Sequence, residues 1–199
     1  LHDALRSDSR VTTGLNVARA WYVSGIGKEA TNTLGIQLQN DNIHNSLNST
    51  TARVRNASCQ LPGASTDPQI QCRRDHISQS SIGVYAENHV HWNDWFRTVA
   101  GLRGDWYRFS NAGRYSSTGD DNSDTVSDFI ASPKLNLVFG PWKHSELYYS
   151  IGSGFHSNDA RGVTIATGTR SDGLVRTFGQ ELGLRTEMLD EIGRASCRE

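Results

Sequence analysis

Long hydrophobic runs are missing from this sequence, and neither sign of charge is in clear excess. No segment approaches the ~18 consecutive apolar residues that a membrane-spanning helix needs, and the mean hydropathy is −0.55. The 199 residues carry 20 basic and 21 acidic side chains, so charge gives no reason to expect a nucleic-acid partner. The composition still permits a membrane β-barrel, because its strands turn only every second side chain toward lipid.

Proline and cysteine are also scarce, with 4 and 3 residues, whereas glycine is abundant with 19. Together with many Thr, Ser and Asn residues, this mixture favours strands and turns over helices. Two of the cysteines, Cys59 and Cys72, lie in one polar segment, which predicts a disulfide in an oxidising compartment or a pair of free thiols. A CxxC pattern is absent, so structural zinc is not expected.

Apolar and polar side chains alternate along several segments, which is the period of a β-strand. Within 82–92, for example, Ile82, Val84 and Trp92 share one face, whereas Tyr85 and Glu87 share the other. The alternation predicts seven strands near 10–23, 30–45, 76–91, 95–110, 125–140, 145–157 and 173–188.

The connections between these strands differ in length. Those near 24–29, 92–94 and 141–144 are short, and those near 46–75, 111–124 and 158–172 are long and polar. Short turns at one rim and long loops at the other are typical of outer-membrane barrels. Four tryptophans fall at the short-turn rim, where an aromatic girdle is expected: Trp21, Trp92, Trp95 and Trp142.

A soluble β-sandwich also alternates, and it is the main structural alternative. Strand length favours the membrane barrel, because the predicted strands run roughly 13–16 residues against about 5–6 in globular proteins.

Several strands carry motifs of a known family. The stretches 81–88 (SIGVYAEN), 97–105 (RTVAGLRGD), 131–142 (ASPKLNLVFGPW) and 154–162 (GFHSNDARG) resemble barrel strands of TonB-dependent receptors. The resemblance covers roughly residues 9–190. It implies an all-β fold: an antiparallel meander of about seven long strands that forms part of a 22-stranded transmembrane barrel.

The resemblance also implies a function and a location. Members of the family lie in the outer membrane of Gram-negative bacteria and import scarce, bulky ligands such as ferric siderophores, haem or cobalamin. The partners so implied are a small-molecule or metal-chelate ligand, the TonB complex through a plug region, and outer-membrane lipid. Neither a cofactor nor catalysis is expected, and a passive porin-like barrel or a soluble all-β binding module are the alternatives.

Polar and aromatic residues near the long-connection ends of the strands are the candidate ligand contacts. The alternative role for each is to stabilise a turn or a neighbouring strand, which we consider the better explanation for Asp159 and Arg161. The candidates are Tyr107, Tyr115, His156, Asn158, Asp159 and Arg161.

Two patterns imitate metal sites. Glu87, His89 and His91 share a strand face, but neighbours on one face lie about 6.5–7 Å apart, which favours a wet wall over a metal centre. Asp120, Asn122 and Asp124 begin like a calcium loop, yet the required glycine and terminal glutamate are absent. We expect no metal at either place.

The end of the sequence differs in character from the rest. Residues 191–199 (EIGRASCRE) resemble the in-frame translation of a short sequencing adapter. We therefore expect 1–190 to be a partial receptor barrel without its plug and closing strands, and 191–199 to be an adapter-derived tail.

Overall fold

The computed structural model describes residues 2–51, 54–55, 73–115, 123–165, 169–188 and 191–198. Its strands form one antiparallel sheet in which neighbours in sequence are neighbours in space. The strands are β1 (His2–Val23), β2 (Glu29–Thr51), β3 (Val54–Arg55), β4 (Arg73–Asn93), β5 (Phe96–Tyr115), β6 (Asp124–Trp142), β7 (Ser145–Ser157), β8 (Leu174–Met188) and β9 (Glu191–Arg198).

The seven predicted strands are confirmed as β1, β2 and β4 to β8, in a meander with open edges. The two-residue β3 pairs with β2 beside this path. Residues 191–198 extend the sheet as β9, which pairs with β8 from Met188↔Glu191 to Glu181↔Arg198. The adapter origin of this segment stays a prediction.

The register gives the sheet two chemically different faces. We call outer the face that carries Val84, Leu102 and Leu135, all of which are exposed, and inner the face that carries Glu87 and Arg103. Large exposed hydrophobic side chains on a sheet face indicate contact with an apolar medium rather than a sealed soluble core. This arrangement agrees with the predicted division between a lipid-facing wall and a wet wall.

Tight turns close the sheet at its short-connection rim. Asn93 pairs with Phe96 and Trp142 pairs with Ser145, so each of these hairpins has a two-residue loop. The Asn93 side chain accepts a hydrogen bond from the Trp95 amide at 3.0 Å. The predicted rim tryptophans are all exposed here, and the Trp95 ring lies 5.9 Å from Phe96 and 6.5 Å from Phe139.

The C-terminal part of β7, after Gly152, separates from β6 and leaves the plane of the sheet. Pairing between β6 and β7 ends at Lys134↔Gly152, and the next residue of β6 is Pro133, which has no N–H to donate. The Arg176 side chain bridges the gap by donating to the Ala131 carbonyl at 2.6 Å and to Ser153 Oγ at 3.0 Å.

Phe155 shows where this hairpin goes. The alternation along β7 groups Phe155 with the apolar side chains of Leu147 and Ile151, yet its ring meets that of the inner-face residue Tyr107 edge-on at 5.8 Å. The described residues of this hairpin, 153–165 and 169–174, therefore fold across the inner face.

Under this segment lies a hydrophobic cluster. The short helix α1 (Ala160–Val163) contributes two of its members. No helix in the described ranges is long and apolar enough to cross a membrane. The buried members of the cluster are Ile77, Phe109, Ile130, Ala160, Val163 and Leu174.

Candidate functional site

The helix α1 and its cap place polar groups above the inner face, at the rim of the long connections. Asp159 is the N-cap, and its carboxylate accepts hydrogen bonds from the Arg161 backbone amide at 2.9 Å and from the Arg161 guanidinium. The guanidinium bonds hold the pKa of Asp159 below its ordinary value, although partial burial opposes this effect. The pair thereby fixes the start of the helix.

Arg161 also reaches the sheet. Its Nη1 lies 3.3 Å from Asn45 Oδ1 on β2 and 3.9 Å from Asp75 Oδ2 on β4. The Asp75 side chain is fully buried and receives a second guanidinium, because Arg73 Nε lies 2.6 Å from Asp75 Oδ2. Two arginines on one buried carboxylate compensate the cost of removing that charge from water. Arg161 therefore holds the folded-over segment to β2 and β4.

A polar cavity of about 270 Å³ separates this segment from β1 and β2. Arg6 and Arg10 line it from β1, and Asn158, Asp159 and Arg161 line it from the other side. Arg6 pairs with Asp8 at 3.3 Å, and Arg10 pairs with the buried Asp41 at 2.8 Å. Because these guanidinium groups are held by acids and still border the cavity, they form a preorganised set of hydrogen-bond donors.

A second cavity, of about 500 Å³, lies halfway along the inner face. Its lining combines the aromatic Tyr85 with Arg103, Glu87 and Lys134. Arg103 donates to both carboxylate oxygens of Asp105 at 2.7 Å and to Gln37 Oε1 at 3.0 Å, and Lys134 and His89 both contact Glu87. The charged side chains that line this part of the inner face are thus paired with one another.

The six candidate contacts have different environments. Asn158, Asp159 and Arg161 come together at the smaller cavity, whereas Tyr107 stacks on Phe109 at 5.8 Å beneath the folded-over segment. His156 is exposed and does not line this cavity. Tyr115 ends β5 opposite Arg73, and its side chain lies outside the described part of the structure. Asn158 also has a structural task, since its Nδ2 donates to the Asp172 carbonyl at 2.8 Å.

Other sequence expectations fall partly outside the described residues. Cys59 and Cys72 lie outside the described residues, so their disulfide stays a prediction. Asp120 and Asn122 also lie outside them, so the expectation that they bind no calcium stays a prediction as well. Asp124 is described, and its Oδ2 pairs with Arg170 at 2.6 Å. Within the described ranges no group of three His, Cys, Asp or Glu side chains is arranged to hold a metal ion.

Sequence reasoning missed the polar residues on the sheet side of the smaller cavity, Arg6, Asp8, Arg10 and Asn45, and the buried Asp75 that lies 3.9 Å from Arg161. A signal was present, because an Arg–x–Asp triplet on a strand places both charges on one face. This spacing occurs at 6–8, 73–75 and 103–105, and each triplet forms an ion pair. Which of these pairs lies near 158–161 depends on the folding-over of the β7–β8 hairpin, which the spacing does not predict.

A long-stranded antiparallel meander with an apolar outer face and an ionic inner face is the wall of an outer-membrane β-barrel. The family model described as "TonB dependent receptor-like, beta-barrel" matches residues 3–195. The chain therefore belongs to the TonB-dependent receptor family, whose members are receptors of the outer membrane of Gram-negative bacteria.

Solved structures of receptors share this fold at low sequence identity. The ferric yersiniabactin uptake receptor FyuA from Yersinia pestis is 12% identical, with a TM-score of 0.65, and the match covers 98% of this chain and 29% of the receptor. The alcaligin outer-membrane receptor FauA from Bordetella pertussis is 13% identical, with a TM-score of 0.59 and the same coverage.

A third similar structure is the ferric-catecholate import receptor Fiu from E. coli K12. It is 12% identical, with a TM-score of 0.65, and the match covers 97% of this chain and 31% of that receptor. The chain thus spans about three tenths of the length of the receptors it matches. No curated protein matches the sequence.

Proposed function

We propose that the whole protein imports a scarce, bulky and hydrophilic ligand across the outer membrane, and that this chain supplies part of the barrel wall and of the ligand entrance. A ferric siderophore is the first candidate, because two of the similar structures are a ferric yersiniabactin uptake receptor and a ferric-catecholate import receptor. Haem and cobalamin belong to the same class of bulky ligand.

The single observation that carries this proposal is the polar cavity at the long-connection rim of the inner face. Charged and amide side chains from β1 and from 158–161 border it, and a second cavity of the inner face is lined by Arg103 and Glu87. A hydrophilic ligand that enters from the loop side meets charged and hydrogen-bonding side chains first. Coupling to the TonB complex through a plug region is part of the proposal and requires segments outside this chain.

The test uses the complete gene, read through both ends, in a strain from which that gene has been deleted. Uptake of radiolabelled ferric chelates, haem and cobalamin is measured with and without an uncoupler of the proton gradient. We expect uptake of one ligand to depend on the gene and to stop when the gradient collapses. Uptake that persists without a gradient would indicate a passive porin, and recovery of the protein in the aqueous fraction without detergent would indicate a soluble module.

Substitutions in the full-length receptor test the entrance. Arg6→Gln and Arg161→Gln each remove a donor group that borders the cavity, so we expect a several-fold weaker affinity for the transported ligand. Arg170→Gln is the matched control, because Arg170 pairs with Asp124 and does not line that cavity. Equal ligand affinity in all three variants would remove this cavity from the proposed entrance.

A further inference from the structure

A small apolar core holds the folded-over segment, residues 153–165 and 169–174, on the inner face. Three side chains of the segment and three of the wall strands β4, β5 and β6 are buried together. They are Ala160, Val163 and Leu174 from the segment, and Ile77, Phe109 and Ile130 from the wall. Lifting the segment would expose this whole cluster to water, so apolar burial opposes such a movement.

A buried ion pair attaches the helix α1 to the wall as well. Arg161 Nη1 lies 3.9 Å from Asp75 Oδ2 and 3.3 Å from Asn45 Oδ1, and the Asp75 side chain is fully buried. Removing a charged partner from a buried carboxylate is strongly unfavourable. Lifting the segment would take one of its two arginines away from Asp75.

The C-terminal side of the segment is tied to β6. Arg170 Nη2 lies 2.6 Å from Asp124 Oδ2, at the end of that strand. The next residue, Ser171, donates its N–H to the Gly162 carbonyl of α1 at 3.1 Å. Residues 170–171 therefore connect the helix to β6.

The edge of β6 that β7 leaves is closed by side chains. Alternate residues of a strand direct their backbone groups to the same edge, and the Ala131 carbonyl on this edge accepts from Arg176 at 2.6 Å. On the same edge, the N–H groups of Thr125 and Phe129 donate to the aspartate that precedes each of them, at 2.7 and 2.8 Å. Pro133 has no N–H to offer. Re-pairing β7 with this edge would therefore gain few hydrogen bonds.

We infer that the folded-over segment is a stationary constriction of the entrance, which stays on the inner face while the ligand enters. The inference rests on the proposed uptake function. A ligand then passes on the β1 side of the segment, along the polar cavity that Arg6 and Arg10 border, and does not lift the segment. The segment thereby limits the cross-section of the ligands that enter.

A reversible tether tests whether the segment has to move. Arg170→Cys/Asp124→Cys replaces the ion pair that joins the segment to β6, and neither residue lines the polar cavity. In the full-length receptor the two thiols are joined by a bifunctional thiosulfonate reagent, and uptake of radiolabelled ferric chelates, haem and cobalamin is measured before and after reduction of the tether. We expect the two uptake rates to agree within about twofold, because a stationary segment needs no freedom.

The single variant Arg170→Cys, treated with the same reagent, is the matched control for labelling without a tether. Loss of uptake that appears only in the tethered double variant and returns on reduction would overturn the inference, because the segment would then have to leave the wall. Absence of uptake in the unaltered receptor would instead contradict the proposed function. In that case, or if labelling alone stops uptake, hydrogen exchange decides about the segment.

Hydrogen exchange of the unaltered full-length receptor in detergent, at neutral pH, needs neither a variant nor uptake. The Val163 and Thr164 amides donate to the carbonyls of Asp159 and Ala160. In a stationary segment they should exchange at least about a hundredfold more slowly than in an unstructured peptide. Addition of each ferric chelate, haem or cobalamin in turn should leave that protection unchanged. Weaker protection, or protection that is lost on addition of any of these compounds, would overturn the inference.

Discussion

At the scale of the residue, the turn between β6 and β7 contains two unfavourable backbone conformations. Lys143 and His144 have φ angles of 47° and 69°, in the left-handed region that glycine and asparagine tolerate best. We predict that Lys143→Asn/His144→Gly stabilises the full-length receptor by about 1–2 kcal/mol, measured as the free energy of unfolding in lipid vesicles. Asp94→Gly in the neighbouring turn is the control, since Asp94 has no positive φ, and it should give no gain.

Glycine packing on the inner face gives a second prediction. The Tyr148 ring lies over Gly183, so that a Cβ at that position would come within 2.2 Å of Tyr148 Cζ, and the Tyr148 hydroxyl donates to Glu181 at 2.9 Å. Gly183→Val should therefore cost about 1–3 kcal/mol through displacement of the ring. At Gly179, on the same face of β8, a Cβ would meet nothing within 4 Å. A loss at Gly179→Val as large as that at Gly183→Val would refute the packing argument.

At the scale of the element, α1 depends on the charge of its cap. The pKa of Asp159 is lowered by Arg161, so the carboxylate stabilises the folded segment fully above the ordinary Asp pKa of about 4. This contribution is lost as the pH falls through the lower pKa of the folded state. We predict that hydrogen-exchange protection of the Gly162, Val163 and Thr164 amides decreases over that acidic range.

Two variants of the full-length receptor check the origin of this pH dependence. Asp159→Asn should remove it, because the neutral side chain does not titrate. Asp172→Asn should leave it unchanged, since Asp172 takes part in the segment through its backbone carbonyl. A pH dependence that survives Asp159→Asn would assign the effect to another group.

The strands also show where sequence reasoning reaches its limit. The alternation located their short-turn ends well but ended β2 at 45 and began β1 at 10, whereas the structure extends them to Thr51 and back to His2. In these extensions most side chains on both faces are polar, because the apolar band has ended and the strand has not. Alternation of apolar and polar side chains predicts the part of a strand that contacts lipid, and it does not predict the part of the strand that extends beyond the lipid.

At the scale of the whole molecule, the two faces should respond differently to the same charge. Leu34 is exposed in the apolar band of the outer face, and its neighbour Thr33 lies on the inner face opposite Glu87. Leu34→Arg should lower the free energy of unfolding in vesicles by about 2–4 kcal/mol, because it places a cation in hydrocarbon. Thr33→Arg should cost far less, since the new cation meets water and a carboxylate. Equal losses would contradict the assignment of the faces.

The strands continue well beyond the exposed apolar side chains of the outer face, and this has a geometric consequence for the whole receptor. From Ile82, an exposed apolar residue of that face, β4 runs about 30 Å further to its end at Arg73. The long connections therefore start from hydrogen-bonded strand ends that lie outside the hydrocarbon layer. The long connections can therefore lengthen, shorten or be exchanged while the lipid-facing parts of the strands keep their sequence and register.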